Sequence, residues 1–235
     1  MNTFGIYAQD PRLLAAYTIP EAAHYLLIPR ATLHSWFVGR VYRAEKPQRH
    51  FQPVLRAPTR DRVRLSFINF VEAHVLNAIR REHHISLDKV RIAIGYLSRH
   101  FGSEHPLAEY RFETDGIDLF IQKYGQLINI TRDGQTAIRE LLQCFLRRIE
   151  WDEAGTAVRL YPFTRKPASD APKSVVIDPR ISFGRPVLRG TGIATAVVAE
   201  RYKAGESIQE LARDYCREPL EIEEAIRCEL QLEAA

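Results

Sequence analysis

Residues 183–193 read FGRPVLRGTGI, with two arginines and three glycines in eleven positions. Such a stretch can place backbone amides and a cation around a phosphate, deliver a guanidinium into a carboxylate-lined pocket, or turn a tight corner. A phosphate loop needs four residues between its glycines and then Lys-Ser/Thr, whereas five residues separate Gly184 from Gly190 and no lysine follows Gly190. The dinucleotide fingerprint fails too, because Gly190 and Gly192 lack a third glycine and a strand directly before them. A structural loop is left. Its Arg185 and Arg189, with Arg180 ahead of them, either reach an acidic partner or pair with the acidic helices of their own domain.

A second concentration of polar chemistry lies near the start of the chain. In YTIPEAAHYLLIPRATLHSWFV, residues 17–38, Thr18 and Glu21 have capping-box spacing, and Pro20 fits the first turn of a helix. Ile28-Pro29 breaks that helix, and a second one starts at Arg30 with Leu33, Trp36 and Phe37 on its apolar side. Arg30, Thr32, His34 and Ser35 occupy the opposite side, where they suit phosphates and base edges. This pattern alone describes an ordinary helical hairpin as well as a helix-turn-helix. From Val38 to Arg64, however, eight basic residues, Arg40, Arg43, Lys46 and Arg49 among them, face only Glu45 and Asp61. Pro47, Pro53 and Pro58 exclude a continuous helix there, so an extended, basic wing is expected and DNA contact is favoured.

No comparable constellation supports catalysis. His74, His83, His84, His100 and His105 form no H-E-x-x-H pattern, and Cys144, Cys216 and Cys228 form no C-x-x-C pair. Asp115, Asp118, Asp133, Glu150, Asp152 and Glu153 mostly fall at turns or helix ends, where acidic residues serve local hydrogen bonding. No nucleophile–base pair is found, no metal or other cofactor is implied, and an enzymatic role ranks last.

The elements that must position these groups follow from period and punctuation. Two longer helices are expected from Ser66 and from Ser86, as the rest of the N-terminal core or a dimer face. Between 107 and 163 the period shortens: YRFETDG, IDLFIQKYG and QLINITRDG read as strands ending in glycine turns, with Asp115-Gly116 the best hairpin signal. One amphipathic helix and a returning strand, TAVRLYPF, follow. TRKPASDAPKS is the clearest linker, and beyond it come a short strand and three helices, the second opened by the Ser207/Glu210 capping box. The expected fold is α+β and mainly helical. It divides into a winged helix-turn-helix over 1–104, a central unit of small antiparallel sheet plus one helix over 105–163, a linker over 164–174 and a three-helix, helix-turn-helix-like domain over 175–235.

Charge separates the two ends. The chain of 235 residues is 46% hydrophobic and carries a net charge of +4, yet residues 206–235 hold nine acidic residues against three basic ones. That surface repels phosphates and suits a protein partner or dimerisation. No apolar run approaches a membrane span and no secretory leader is evident, so a cytoplasmic protein without membrane attachment is expected.

The stretch VVIDPRISFGRPVLRGTGIATAVVAERYKAGESIQELARDY resembles the bacterial family called domain of unknown function 433, with its strand, Asp-Pro, Gly-Arg-Pro-Val, Gly-Thr and G-x-S-I-x-E-L helix. Where that family often has arginine after Gly-Thr, this chain has Gly192. The resemblance implies a VapB-like antitoxin of a type II system, neutralising a PIN-like ribonuclease toxin. It also makes Arg180, Arg185 and Arg189 candidate toxin contacts. Residues 17–100 more loosely resemble the MerR-type winged helix, which implies operator binding, autoregulation and a homodimer. The alternative is a MerR-like regulator with a small-molecule pocket in the central unit and no toxin partner.

Overall fold

The computed structural model describes residues 10–42, 49–59, 63–81, 87–128, 132–165 and 171–230. Strand β1 (Tyr17–Thr18) runs directly into helix α1 (Ile19–Leu26), and the capping box closes: Glu21 N donates to Thr18 Oγ1 at 3.3 Å and Thr18 N donates to Glu21 Oε2 at 2.8 Å. Leu27 ends α1 with a left-handed φ of 55°, and Pro29 then starts α2 (Arg30–Val38). A hairpin of β2 (Arg40–Tyr42) and β3 (Arg49–Phe51) follows as the expected wing. Its base is tied to α2, because the Trp36 carbonyl accepts from Val54 N at 2.8 Å and Leu55 N at 3.0 Å. Strand β4 (Arg64–Leu65) pairs with β1, and α3 (Phe67–Arg81) and α4 (Leu87–Phe101) form as their spacing predicts.

The central stretch differs from expectation. A π-helical turn at Phe112–Gly116 leads into α5 (Ile117–Ile128), and α6 (Arg132–Leu146) follows, so the segments expected as strands up to residue 128 are helical. Packing is the reason. Ile117, Phe120, Ile121 and Tyr124 are all buried at helical spacing, and this period overrides the short alternation of Ile117, Leu119 and Ile121. Gly116 serves close approach rather than a hairpin: a Cβ there would lie 2.8 Å from the Phe112 ring and 3.3 Å from the Arg111 carbonyl. The antiparallel sheet exists, but it consists of β5 (Ile149–Trp151) and β6 (Ala157–Leu160), and two helices precede it instead of one. Residues 129–131, in the middle of the third expected segment, lie outside the described residues, and its last residues, 132–134, already belong to α6.

Beyond the connector, β7 (Val175–Val176) and β8 (Val187–Leu188) pair antiparallel and carry the arginine loop between them. Helices α7 (Thr195–Lys203), α8 (Ile208–Asp214) and α9 (Pro219–Leu230) complete the described residues, with the Ser207/Glu210 capping box in place. The class is α+β, mainly helical, as read from the sequence. One hydrophobic core runs from Tyr17 to Phe163 and takes in Ala171 and Ile177, so the helix-turn-helix and the central unit share it. A smaller core of Leu188, Val198, Leu211, Ile222 and Ala225 serves the three C-terminal helices.

Buried polar contacts tie the connector to the central unit and to α9. Arg148, 5% exposed, donates to the carbonyls of Tyr161 (2.8 Å), Ala171 (2.6 Å), Pro162 (2.9 Å) and Pro172 (3.0 Å), and its guanidinium lies 4.8 Å from the Phe163 ring centroid. Burial pushes its pKa down to about 10, so it is still a cation at neutral pH. Glu224, fully buried on α9, accepts from Thr164 Oγ1 and pairs with Arg165.

Candidate functional site

The helix-turn-helix presents its polar face outward. Leu33, Trp36 and Phe37 are buried, at most 5% exposed, and this fixes the roll of α2 so that Arg30 and His34, one turn apart, are exposed. Thr32 and Ser35 are half-buried, and Ser35 Oγ donates to the Thr32 carbonyl at 2.7 Å. Arg40 is exposed at the start of the wing, opposite Phe51. The backbone of Arg49 pairs with Tyr42 on the same hairpin. Arg43 and Lys46 lie outside the described residues. Arg30 and His34 are thus exposed on α2, and Arg40 is exposed where the chain leaves α2 for the wing.

The three loop arginines diverge. Arg180 donates from its backbone N–H (2.9 Å) and Nε (3.1 Å) to Asp178, whose buried carboxylate also accepts from Arg159 Nε at 2.9 Å. Burial works against the charge of Asp178, but these two guanidinium groups hold its carboxyl below the ordinary range. Arg189 lies 5.6 Å from the Tyr161 ring centroid and lines a cleft of about 340 Å³ with Glu150, Arg159, Tyr161, Val176, Ile181, Gly190 and Thr191. Arg185 points the other way, toward the helix-turn-helix, with its guanidinium 3.9 Å from Glu21 of α1.

That last direction marks a joint which the sequence does not announce. Tyr17 Oη donates to the Gly184 carbonyl at 2.9 Å, and His24 Nε2 donates to the Cys228 carbonyl at 2.9 Å, across 167 and 204 residues of chain. The domain-433-like loop and α9 thus pack on α1. Glu21 is engaged from both sides: burial raises its pKa, while the Thr18 cap bonds and the nearby Arg185 and Arg64 bring it below the ordinary value.

Among the described residues no three His, Cys, Asp or Glu side chains are grouped to hold a metal ion, and no helix is long and apolar enough to cross a membrane.

Comparison with known proteins matches both ends. Residues 15–94 fit the family model described as "Putative DNA-binding HTH domain", and residues 175–227 fit "Protein of unknown function (DUF433)". A Mycobacterium tuberculosis protein described as "Putative antitoxin VapB45" is 33% identical over 229 residues, covering 89% of this chain and 92% of that protein. "Uncharacterized protein Rv2308" of the same organism is 25% identical over 219 residues, covering 89% and 88%. The crystal structure of Rv2018, also from M. tuberculosis, superposes with a TM-score of 0.67 at 26% identity over 91% of this chain and 98% of that one.

Proposed function

This chain belongs to the family of that mycobacterial relative named for an antitoxin, and from this kinship we propose that it is the antitoxin of a type II pair, reading its own operator and neutralising a PIN-like ribonuclease. A DNA-binding, antitoxin-type role is the level supported jointly by the helix-turn-helix match and the relative. The single observation that carries the DNA half is the outward face of α2, with Arg30 and His34 exposed beside Arg40 of the wing. Thr32, Ser35, Arg43, Lys46 and Arg49 complete the proposed DNA surface, and the helix-plus-wing order supports a MerR-like mode on two half-sites, hence a homodimer in the cytoplasm.

For the toxin half we assign the loop of the C-terminal domain. Arg185 and Arg189 project from a glycine-braced turn and suit bidentate pairing with carboxylates, whereas Arg180 is committed to Asp178 and acts as a brace. Functionally, residues 1–104 read DNA, 105–163 and the connector 164–174 mount the two halves, and 175–235 meet the toxin. The test is co-purification with the product of the adjacent gene and inhibition of its ribonuclease activity. Arg185→Ala and Arg189→Ala are expected to weaken inhibition, and full inhibition by both variants would rule out the arginine assignment.

A second reading, a regulator answering to a small molecule, draws on the cleft of about 340 Å³ beside Arg189 and Tyr161. It predicts a ligand-dependent change in operator affinity and no adjacent ribonuclease gene.

A further inference from the structure

The turn that carries Arg185 also holds a side chain for which the fold has no use. Ser182, Phe183 and Gly184 take positive φ values of 48°, 55° and 78° in succession. For serine and phenylalanine this left-handed conformation brings Cβ against the backbone and is disfavoured, and a bulky residue rarely adopts it without being held there.

Here the holding contacts are visible. Gly184 N donates to the Ile181 carbonyl at 2.9 Å, Arg185 N donates to the Ser182 carbonyl at 3.1 Å, and Tyr17 Oη donates to the Gly184 carbonyl. Tyr17 is itself fixed, 5% exposed with its ring 5.0 Å from that of Phe70. No side chain larger than hydrogen fits at Gly184, since a Cβ would come within 2.2 Å of Tyr17 Oη.

The consequence is that Phe183 stands almost wholly in water. It is 93% exposed, the most exposed large apolar side chain among the described residues. An aromatic ring contributes to a fold by burial, and this one is kept out of the core by a strained turn. Beside it runs a cleft of about 220 Å³ lined by Ala16, Tyr17, Glu21, Tyr25, Phe183 and Arg185. The Arg185 side chain is 65% exposed, and its guanidinium lies 3.9 Å from Glu21 Oε1, beyond hydrogen-bond distance, so it can still donate to a partner.

We propose that Phe183 and Arg185 form a two-residue anchor for a protein partner, the ring entering an apolar socket and the guanidinium meeting a carboxylate on its rim. Binding energy at protein interfaces concentrates in such aromatic and arginine side chains. The occupant is the ribonuclease of the antitoxin reading, on which this inference rests. DNA fits the site less well: a phenylalanine wedge in DNA needs flanking cations, and among the described residues lining the cleft Arg185 is the single cation, beside the carboxylate of Glu21.

The test uses the full-length chain, its Phe183→Gly and Arg185→Ala variants, and the ribonuclease encoded beside it. Phe183→Gly relieves the backbone at a φ of 55°, so its melting temperature should equal or exceed that of the wild type. Its affinity for the ribonuclease should fall about 30-fold or more, and that of Arg185→Ala about 10-fold, with operator affinity and oligomeric state unchanged. Undiminished ribonuclease binding by Phe183→Gly overturns the anchor and leaves the antitoxin reading intact. Loss of operator affinity or of self-association in its place also overturns the anchor, assigning the ring to DNA or to a second copy. A wild-type chain that does not bind the ribonuclease overturns both readings together.

Discussion

The two ends of this chain use one local device for opposite surfaces. α1 opens on the Thr18/Glu21 capping box, stops at left-handed Leu27 and passes through Pro29 into α2; α8 opens on Ser207/Glu210, stops near left-handed Cys216 and passes into α9 at Pro219. The surfaces then part. α2 and its wing present Arg30, His34 and Arg40, whereas α9 carries Glu221 paired with Arg217 at 2.5 Å and Glu223 paired with Arg227 at 3.3 Å. Cap and turn chemistry therefore set the shape of each unit, and the charge on the outward residues sets what each can meet.

The comparison breaks most sharply at the joint between the two regions. Arg148→Ala leaves three buried carbonyls and one partly buried carbonyl without their donor and should cost about 3–5 kcal/mol in urea unfolding. An unchanged midpoint would show that the connector holds without the clamp. Gly184→Ala forces a Cβ onto Tyr17 Oη at a left-handed φ and should cost about 2–4 kcal/mol by the same measurement.

Smaller changes sharpen the contrast. Thr18→Ala and Ser207→Ala remove equivalent caps and should each cost about 1 kcal/mol. Operator affinity should fall in the first variant alone, because the proposed reading places the operator on α2, which α1 supports; equal losses would erase the distinction.

The smallest effect is a slope with pH. In the N-terminal region, His105 Nδ1 pairs with the buried Glu72 carboxylate at 2.9 Å. Burial raises the Glu72 pKa. It also opposes the His105 cation, but the Glu72 carboxylate outweighs that and raises the His105 pKa. Both groups hold their protons more tightly when folded, so their contribution is complete below their ordinary values and is lost as pH rises through the raised ones. Stability should decline as pH rises from the ordinary glutamate value of 4.5 through and beyond the ordinary histidine value of 6.5, and Glu72→Gln should flatten that decline.

Much of this was legible from short-range signals. Both capping boxes, the break at Ile28-Pro29, the wing after α2, the strand at Val175 and the three C-terminal helices follow from residues within a few positions of each other. The central unit was misread because glycine punctuation suggested hairpins, while the helical recurrence of Ile117, Phe120, Ile121 and Tyr124 was also present and decided the outcome. The joint left no local trace. Tyr17 meets Gly184 across 167 residues, and Arg148 finds its carbonyls 13 to 24 residues away, so neither contact has a spacing that a sequence pattern can display. Of the candidate sites, Arg185 and Arg189 were found through their glycine loop, but the exposure of Phe183 depends on backbone strain and on Tyr17.

The division of labour has one direct test. In the double variant Arg30→Glu/Arg40→Glu, operator affinity and inhibition of the partner ribonuclease are measured on the same preparation. The account predicts that operator binding falls by about 100-fold or more while inhibition is unchanged. Operator binding at wild-type strength, or loss of inhibition along with it in a folded protein, would contradict it.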